Sequence, residues 1–510
     1  MSAQKRTAIV RFRYSFKFQN INKHFIFKYL FCRCDFGCLN LNRLTIPPAR
    51  SMKRTLLIVC LFIVAVCHGQ DASEKLTSAD KVYGLSRFWS EVNQNFVYLD
   101  QIDKKAWDST YRALIPQVEQ TKNDYEYYLL MARYCATLND GHTNFYPSPT
   151  VNAMCSIREF GKYWFSLDDI GGKAVITKTL KTEIDELPIG TEIVSVNGLP
   201  AIQYAKENIE PYISSSTDYV KQRWAIQSLF SGLWGASYDV TFKKPDGKIF
   251  SLHLTHAKTT DKDIVPAPAP FQLLELKWYP GKIAYVALNS FGNKAIDSIF
   301  VSKLPELYEA KGLIIDLRNN GGGSTGYGTY ILRYFMNDTL MQHSRYFTRD
   351  HLAAFKAWGS VVNPKDTINN SWNTKGWKIF NGTYYYAFDY APDTIHLKAK
   401  RIVVPTAILT SNNTASAAED FLISAANQKH MKRIGQKSFG STGQPYQFDI
   451  GGGFQARVCT KKDTWPDGSA FVGVGVKPDI EVIPTVQDFI NQKDPVLDRA
   501  LAYIASQGVK

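Results

Sequence analysis

The sequence predicts an α/β protein: a layered core of alternating strands and helices, preceded by a helical part and a β-rich part. Three observations carry this. Apolar residues recur at helical spacing between 74 and 138, short β-type runs broken by turns fill 160–257, and strands alternate with helices from about 272 onward.

The helical part, 70–155, is clearest in KVYGLSRFWSEVNQNFVYLD, where Leu85, Phe88, Trp89, Val92 and Phe96 fall on one face. A second helix is expected from Tyr125 to about Leu138. It ends at LNDGHTNFY, where Asp140-Gly141 supplies turn chemistry and leaves His142 on a loop.

The β-rich part, 156–258, centres on ELPIGTEIVSVNGLPAIQYAKENI. Gly190 turns the chain, Ile193, Val194 and Val196 make a strand, Asn197-Gly198 makes a tight hairpin, and a helix starts near Ile202. The unit resembles the central strand–turn–helix of a PDZ domain, a module that takes an extended peptide along a sheet edge. Any small β-rich domain with an Asn-Gly hairpin shares the pattern.

In the core, 259–490, KIAYVAL (282–288) is a strand and a helix follows from about 294 to 310. GLIIDLRNNGGG (312–323) is a buried strand running into a glycine turn. VVPTAILTS (403–411) is a second buried strand, and TASAAEDFLISAAN continues it into a helix. Residues 340–400 are aromatic and Asn-rich with no clean period, which marks an insertion of long loops or an added subdomain. Residues 491–510 are expected to form a C-terminal helix.

Charge is unevenly placed. The chain has 510 residues and a net charge of +14, yet residues 1–69 hold twelve Lys and Arg against one acid, Asp35. The basic character therefore belongs to the leader, and nothing argues for nucleic-acid binding. From Met52, MKRTLLIVCLFIVAVCHGQ has the anatomy of a secretory signal: Lys53 and Arg54, an apolar run from Leu56 to Val66, then small residues before Gln70. Residues 1–51 are expected to be an upstream extension outside the mature protein, and 52–69 the signal peptide. Export follows, to the periplasm or cell envelope, with secretion as an open variant. Membrane association is expected only through the signal or a lipid anchor, and Val66 is bulky for a lipidation site at Cys67.

Five of the eight cysteines lie in that leader, including CRCDFGC. Cys135, Cys155 and Cys459 are too few and too scattered for a disulfide framework. No metal and no cofactor are implied.

Ser416 sits where an apolar strand ends and an alanine-rich helix begins. Such a junction exposes a side chain beside unpaired helix N–H groups, which can hold an oxyanion; the plain alternative is a helix cap. The three glycines of DLRNNGGG let backbone approach a ligand closely, and no Gly-Lys-Ser/Thr follows to make a phosphate loop.

DLRNNGGG, TASAAE, IGQKSFGSTG and GVGVKPDIEV, in that order behind a PDZ-like unit, resemble the C-terminal processing peptidase and tricorn-core family of serine peptidases over roughly 75–485. The resemblance implies a helical N-terminal subdomain, an inserted PDZ-like β-rich domain and a crotonase-like (ClpP/crotonase-type) α/β peptidase core. It makes Ser416 the nucleophile, with Gly322 and the Ala417 N–H as the oxyanion hole. One branch of that family carries a catalytic lysine twenty-five residues after the nucleophile, where this chain has Ser441. Lys437 matches a different, earlier lysine. The tricorn-like branch uses a histidine from before the PDZ-like unit, which points to His142 as general base. His430 is the rival by position. A carboxylate that orients the histidine is expected, with Asp140, Asp463 and Asp467 as candidates. The substrate implied is a polypeptide, held by its C-terminus at the PDZ-like domain. The alternative is a catalytically inactive peptide- or ligand-binding protein on the same fold, since loss of the lysine is what decay of the site would produce.

Overall fold

The computed structural model describes residues 76–509, so the leader, the proposed signal and the cysteine cluster lie outside the described residues. No helix among the described residues is long and apolar enough to cross a membrane.

The chain opens with three helices, α1 (Ser78–Asn95), α2 (Lys104–Glu119) and α3 (Asp124–Ala136). A capping box at Thr77 and side-chain caps at Asp103 and Asn123 satisfy their first N–H groups. Of the apolar stripe read on α1, Leu85, Phe88 and Val92 are fully covered, as is Phe96 just past its end, while Trp89 is half-buried. After α3 the turn bearing His142 leads into β1 (Asn144–Tyr146).

The β-rich part is an antiparallel sheet of β2 (Tyr163–Ile170), β3 (Lys173–Leu180), β4 (Glu192–Val196), β5 (Ser237–Lys243) and β6 (Ile249–Thr255), with short strands at its edges. Asn197 takes φ +49° and Gly198 φ +80° in the hairpin after β4, as an Asn-Gly turn requires. Two helices, α4 (Ala201–Asn208) and α5 (Asp218–Gln227), lie between β4 and β5 in the chain.

The core begins with β7 (Leu274–Tyr279) and β8 (Ile283–Leu288), followed by α6 (Ala295–Leu307), β9 (Gly312–Asp316) and α7 (Thr325–Leu332). The segment 340–400 forms a strand β10 (Arg345–Arg349), two short helices α8 (Ala353–Gly359) and α9 (Ser371–Phe380), and a strand β11 (Tyr385–Ala387) that pairs back onto β10. The helices approach so closely that a Cβ on Gly359 would overlap the Gly376 carbonyl. This is a helical hairpin on a strand base, where aromatic residues had masked the helical period.

The chain returns through β12 (Thr406–Thr410), α10 (Ala417–Ala425) and β13 (Met431–Gly435). A long hairpin of β14 (Pro445–Gly451) and β15 (Phe454–Cys459) follows, then β16 (Lys462–Thr464), β17 (Ile480–Glu481) and the C-terminal helix α11 (Pro495–Ser506). The main sheet runs β7-β8-β9-β12-β13-β17, antiparallel only at β7–β8.

Its central strands are buried on both faces, and alternation divides them cleanly. Ala284, Val286, Leu313, Ile315 and Ile408 meet the side covered by α6, α7 and α10. Ile283, Tyr285, Ile314, Ala407 and Leu409 meet Val496, Ala500 and Ile504 of α11. The N-terminal helices pack on the β14–β15 hairpin instead, through Phe448, Ile450, Phe454, Ala456 and Val458. β1 joins that hairpin, Asn144 opposite Arg457, and so delivers the His142 turn to the core.

Candidate active site

The loops that leave β9 and β12 at their C-terminal ends lie side by side, at the edge of a parallel sheet where ligands commonly bind. The β9 loop carries Asn320 and the three glycines; the β12 loop carries Ser416. Thr414 Oγ1 donates to the Leu317 carbonyl at 2.9 Å, and the Ala415 N–H donates to the Asn320 carbonyl at 3.0 Å. The two loops are stitched by backbone.

Ser416 takes φ +55° and ψ −122°, a conformation that side chains rarely adopt and that costs about 1–3 kcal/mol. Surrounding bonds hold it there. Its N–H donates to the Ser441 carbonyl at 3.3 Å and to Glu419 Oε2 at 3.1 Å. The turn leaves Ser416 half-buried while its flanking alanines are buried.

Gly322, at φ +96°, stands directly against it: an added Cβ would lie 2.7 Å from Ser416 Cβ and 3.0 Å from the Ala417 nitrogen. Only glycine fits that approach. Its N–H and that of Ala417 differ in their bonding. The Gly322 N–H is already bonded to Asn320 Oδ1 at 2.9 Å, while Asn320 Nδ2 holds the Leu288 carbonyl. Ala417 is the first residue of α10, and its N–H has no partner among the described residues. It is the open donor beside Ser416.

His142 is buried, and its Nδ1 lies 2.7 Å from Ser441 Oγ. Its Nε2 has no partner among the described residues. Burial, reinforced by the nearby positive charges of Arg457 and Lys461, pushes the imidazole down to about 3, so it rests neutral. The turn beneath it is fixed by Asp140, whose carboxylate accepts from Thr143 Oγ1 at 2.6 Å and Ser216 Oγ at 3.3 Å.

None of the carboxylates expected to orient the histidine bonds its ring. Asp140 serves the turn, Asp463 is buried beside Lys461 at 2.8 Å, and Asp467 is exposed and caps Ser469. The rival base is also misplaced. His430 Nε2 bonds the Phe335 carbonyl, and its own carbonyl meets Thr406 at the start of β12, the end of the strand away from Ser416.

The sequence reading missed Glu419. Fully buried, it accepts the N–H groups of Ser416, Gly440 and Ser441 and faces Ser438 Oγ at 2.5 Å. Desolvation pushes its carboxyl up to about 8, against those four donors. The signal was present in TASAAE, whose Ser-x-x-Glu spacing is a capping-box pattern. A second omission is α5 with the residues before it. Ser216 Oγ accepts from the Gly141 N–H, Thr217 Oγ1 and Tyr219 Oη donate to the carbonyls of Phe439 and Ser438, and Arg223 Nη1 donates to Asn413 Oδ1. One segment of the β-rich part therefore touches the loops of His142, Ser441 and Ser416. Beside it opens a cleft of about 810 Å³ bounded by Gly171, Gln222, Arg223, Asn413 and Pro484.

Taken with its sequence match, this site on an α/β sheet makes the chain a serine-type peptidase, a hydrolase. Residues 282–482 of its α/β core match the model of peptidase family S41, a span that holds Gly322, Ser416 and Ser441 and stops short of His142. No curated protein matches the sequence. Among solved structures, mature CPAF is similar in fold, with TM-score 0.62 and 13% identity over 84% of this chain and 98% of that one. Mature CPAF complexed with lactacystin gives TM-score 0.61 and 13% identity over 84% and 99%.

Proposed function

We propose that the protein is an exported peptidase that hydrolyses peptide bonds of polypeptides, with Ser416 as nucleophile and His142 as general base. In this reading the core is of the crotonase type and the β-rich part is a PDZ-like domain that holds the substrate by its C-terminus. The observation that carries the mechanism is the 2.7 Å contact between His142 Nδ1 and Ser441 Oγ, because Ser441 also accepts the Ser416 N–H through its carbonyl. Base and nucleophile are thus referred to one residue.

The chemistry follows from the geometry. Ser416 Oγ attacks the substrate carbonyl while its proton passes to Nε2 of His142, and the oxyanion forms against the Ala417 N–H. The Gly322 N–H adds to that hole by turning from Asn320 Oδ1. The imidazolium then gives its proton to the leaving amine, and water repeats the sequence on the acyl-enzyme. An imidazole this reluctant to ionise is a weak base alone, so its charge forms together with the oxyanion beside it.

The test is cleavage of an unfolded protein by the wild type beside Ser416→Ala and His142→Ala. Both variants should lose activity by about a thousandfold or more. Equal activity in all three would remove the mechanism, and an inert wild type that still binds peptides would favour the binding-protein alternative. Lactacystin, present in one CPAF structure, is a second probe: its inhibition should require Ser416.

A further inference from the structure

We infer that Ser441 is the positioning residue of the base, so that the site works as Ser416–His142–Ser441 with a hydroxyl where a carboxylate is expected. This rests on the proposed roles of Ser416 and His142 and adds what fixes the ring.

A neutral imidazole can accept the Ser416 proton only if Nε2 is bare, which requires the hydrogen to sit on Nδ1. Nδ1–H needs an acceptor in a buried place, and Ser441 Oγ at 2.7 Å is its hydrogen-bond partner among the described residues. When the ring becomes imidazolium, both nitrogens donate. Ser441 Oγ then accepts from Nδ1 through a lone pair, whichever way its own hydrogen turns.

The site around Ser441 is built for this contact. The residue is fully buried, its N–H is held by Glu419 Oε2 at 3.2 Å, and the Gly440 N–H is held by Glu419 Oε1 at 2.7 Å. From the other side, Gly141 lets the histidine turn come close. A Cβ there would lie 3.0 Å from Ser441 Oγ, 3.1 Å from its Cβ and 2.8 Å from the Phe439 ring. Gly141 is not at positive φ, so its glycine serves the close approach and not the turn. The glycine of DGH and the serine of FGSTG are two halves of one fitting.

The experiment uses the full chain with ¹⁵N-labelled histidine, the His142 resonances being assigned by their absence from a His142→Gln sample. The wild type should show a protonated Nδ1 and a bare Nε2. Ser441→Ala should move the ring toward the Nε2–H tautomer and lower kcat about ten- to a hundredfold, with KM little changed. Ser441→Thr, which keeps the hydroxyl, should recover part of kcat. A wild type already in the Nε2–H form would overturn the inference, and this needs no variant to fold. So would Ser441→Ala with unaltered tautomer and kcat. If Ser416→Ala or His142→Ala keeps activity, the parent mechanism fails; if both are inactive and Ser441→Ala is not, only the role of Ser441 fails.

Discussion

Ser441 offers its backbone to the proposed nucleophile and its side chain to the proposed base, and two titratable groups close to this exchange are displaced in opposite directions. His142 is held near 3 by burial first and by Arg457 and Lys461 second, with Asp140 below the turn. The acid limb of kcat/KM should therefore lie well below 6.5, and a profile from pH 5 to 8 should show no fall near the ordinary histidine value. Stability carries the same sign. A folded pKa below the unfolded 6.5 gives a contribution complete above 6.5 and lost as pH falls toward 3. Glu419 is the reverse: raised from 4.5 to about 8, it contributes fully below 4.5 and loses that contribution as pH rises through 8. Melting temperature measured against pH in Glu419→Gln should lose this alkaline decline. The same variant sets an amide N–H₂ against the one or two fixed N–H donors that face the replaced oxygen, so kcat should fall about a hundredfold and Tm should drop.

At the scale of elements, the loops depend on close backbone approach, and one substitution tests it. Gly322→Ala places a methyl 2.7 Å from Ser416 Cβ at φ +96°, so activity should disappear with a stability loss of about 1–3 kcal/mol, read by urea melts. The segment at α5 is subtler. Arg223→Gln removes the bond to Asn413 and the paired contacts to Asp168, both at 2.7 Å. Tyr219→Phe removes the 2.6 Å bond to the Ser438 carbonyl. Each should lower kcat about three- to tenfold in the peptide assay without unfolding the protein. The core elements were legible in the sequence because IAYVAL, GLIID and TAILT are apolar runs that only a doubly covered sheet can bury. Ser416, Gly322 and Ala417 were singled out through the resemblance carried by the ordered motifs, since a strand–serine–helix junction by itself reads equally as a helix cap. The partner of His142 was not, because a hydroxyl shows no charge pattern and reaches the ring across 299 residues. The contacts of α5 were invisible for a similar reason, since Tyr219 and Thr217 address carbonyls that every residue possesses. The hairpin of α8 and α9 escaped because Trp358, Trp372 and Phe380 remain exposed and blur its apolar period.

At the scale of the whole molecule, the family-matched span 282–482 lacks one group that the proposed mechanism needs. His142 lies outside it, and the β14–β15 hairpin inside it is covered by α1, α3 and β1 through Phe88, Tyr127 and Phe145. A chain starting at 259 should lack peptidase activity. Hydrogen exchange at 445–459 should be fast in it, because its covering layer is gone. The same architecture has an optical consequence. Trp224 of α5 lies with its ring 5.3 Å from that of Phe439, a residue of the Ser441 loop whose ring stands against Gly141 of the histidine turn. The difference in emission between the protein and its Trp224→Phe variant is thus a built-in fluorescence gauge of the Ser441 loop, readable without a label.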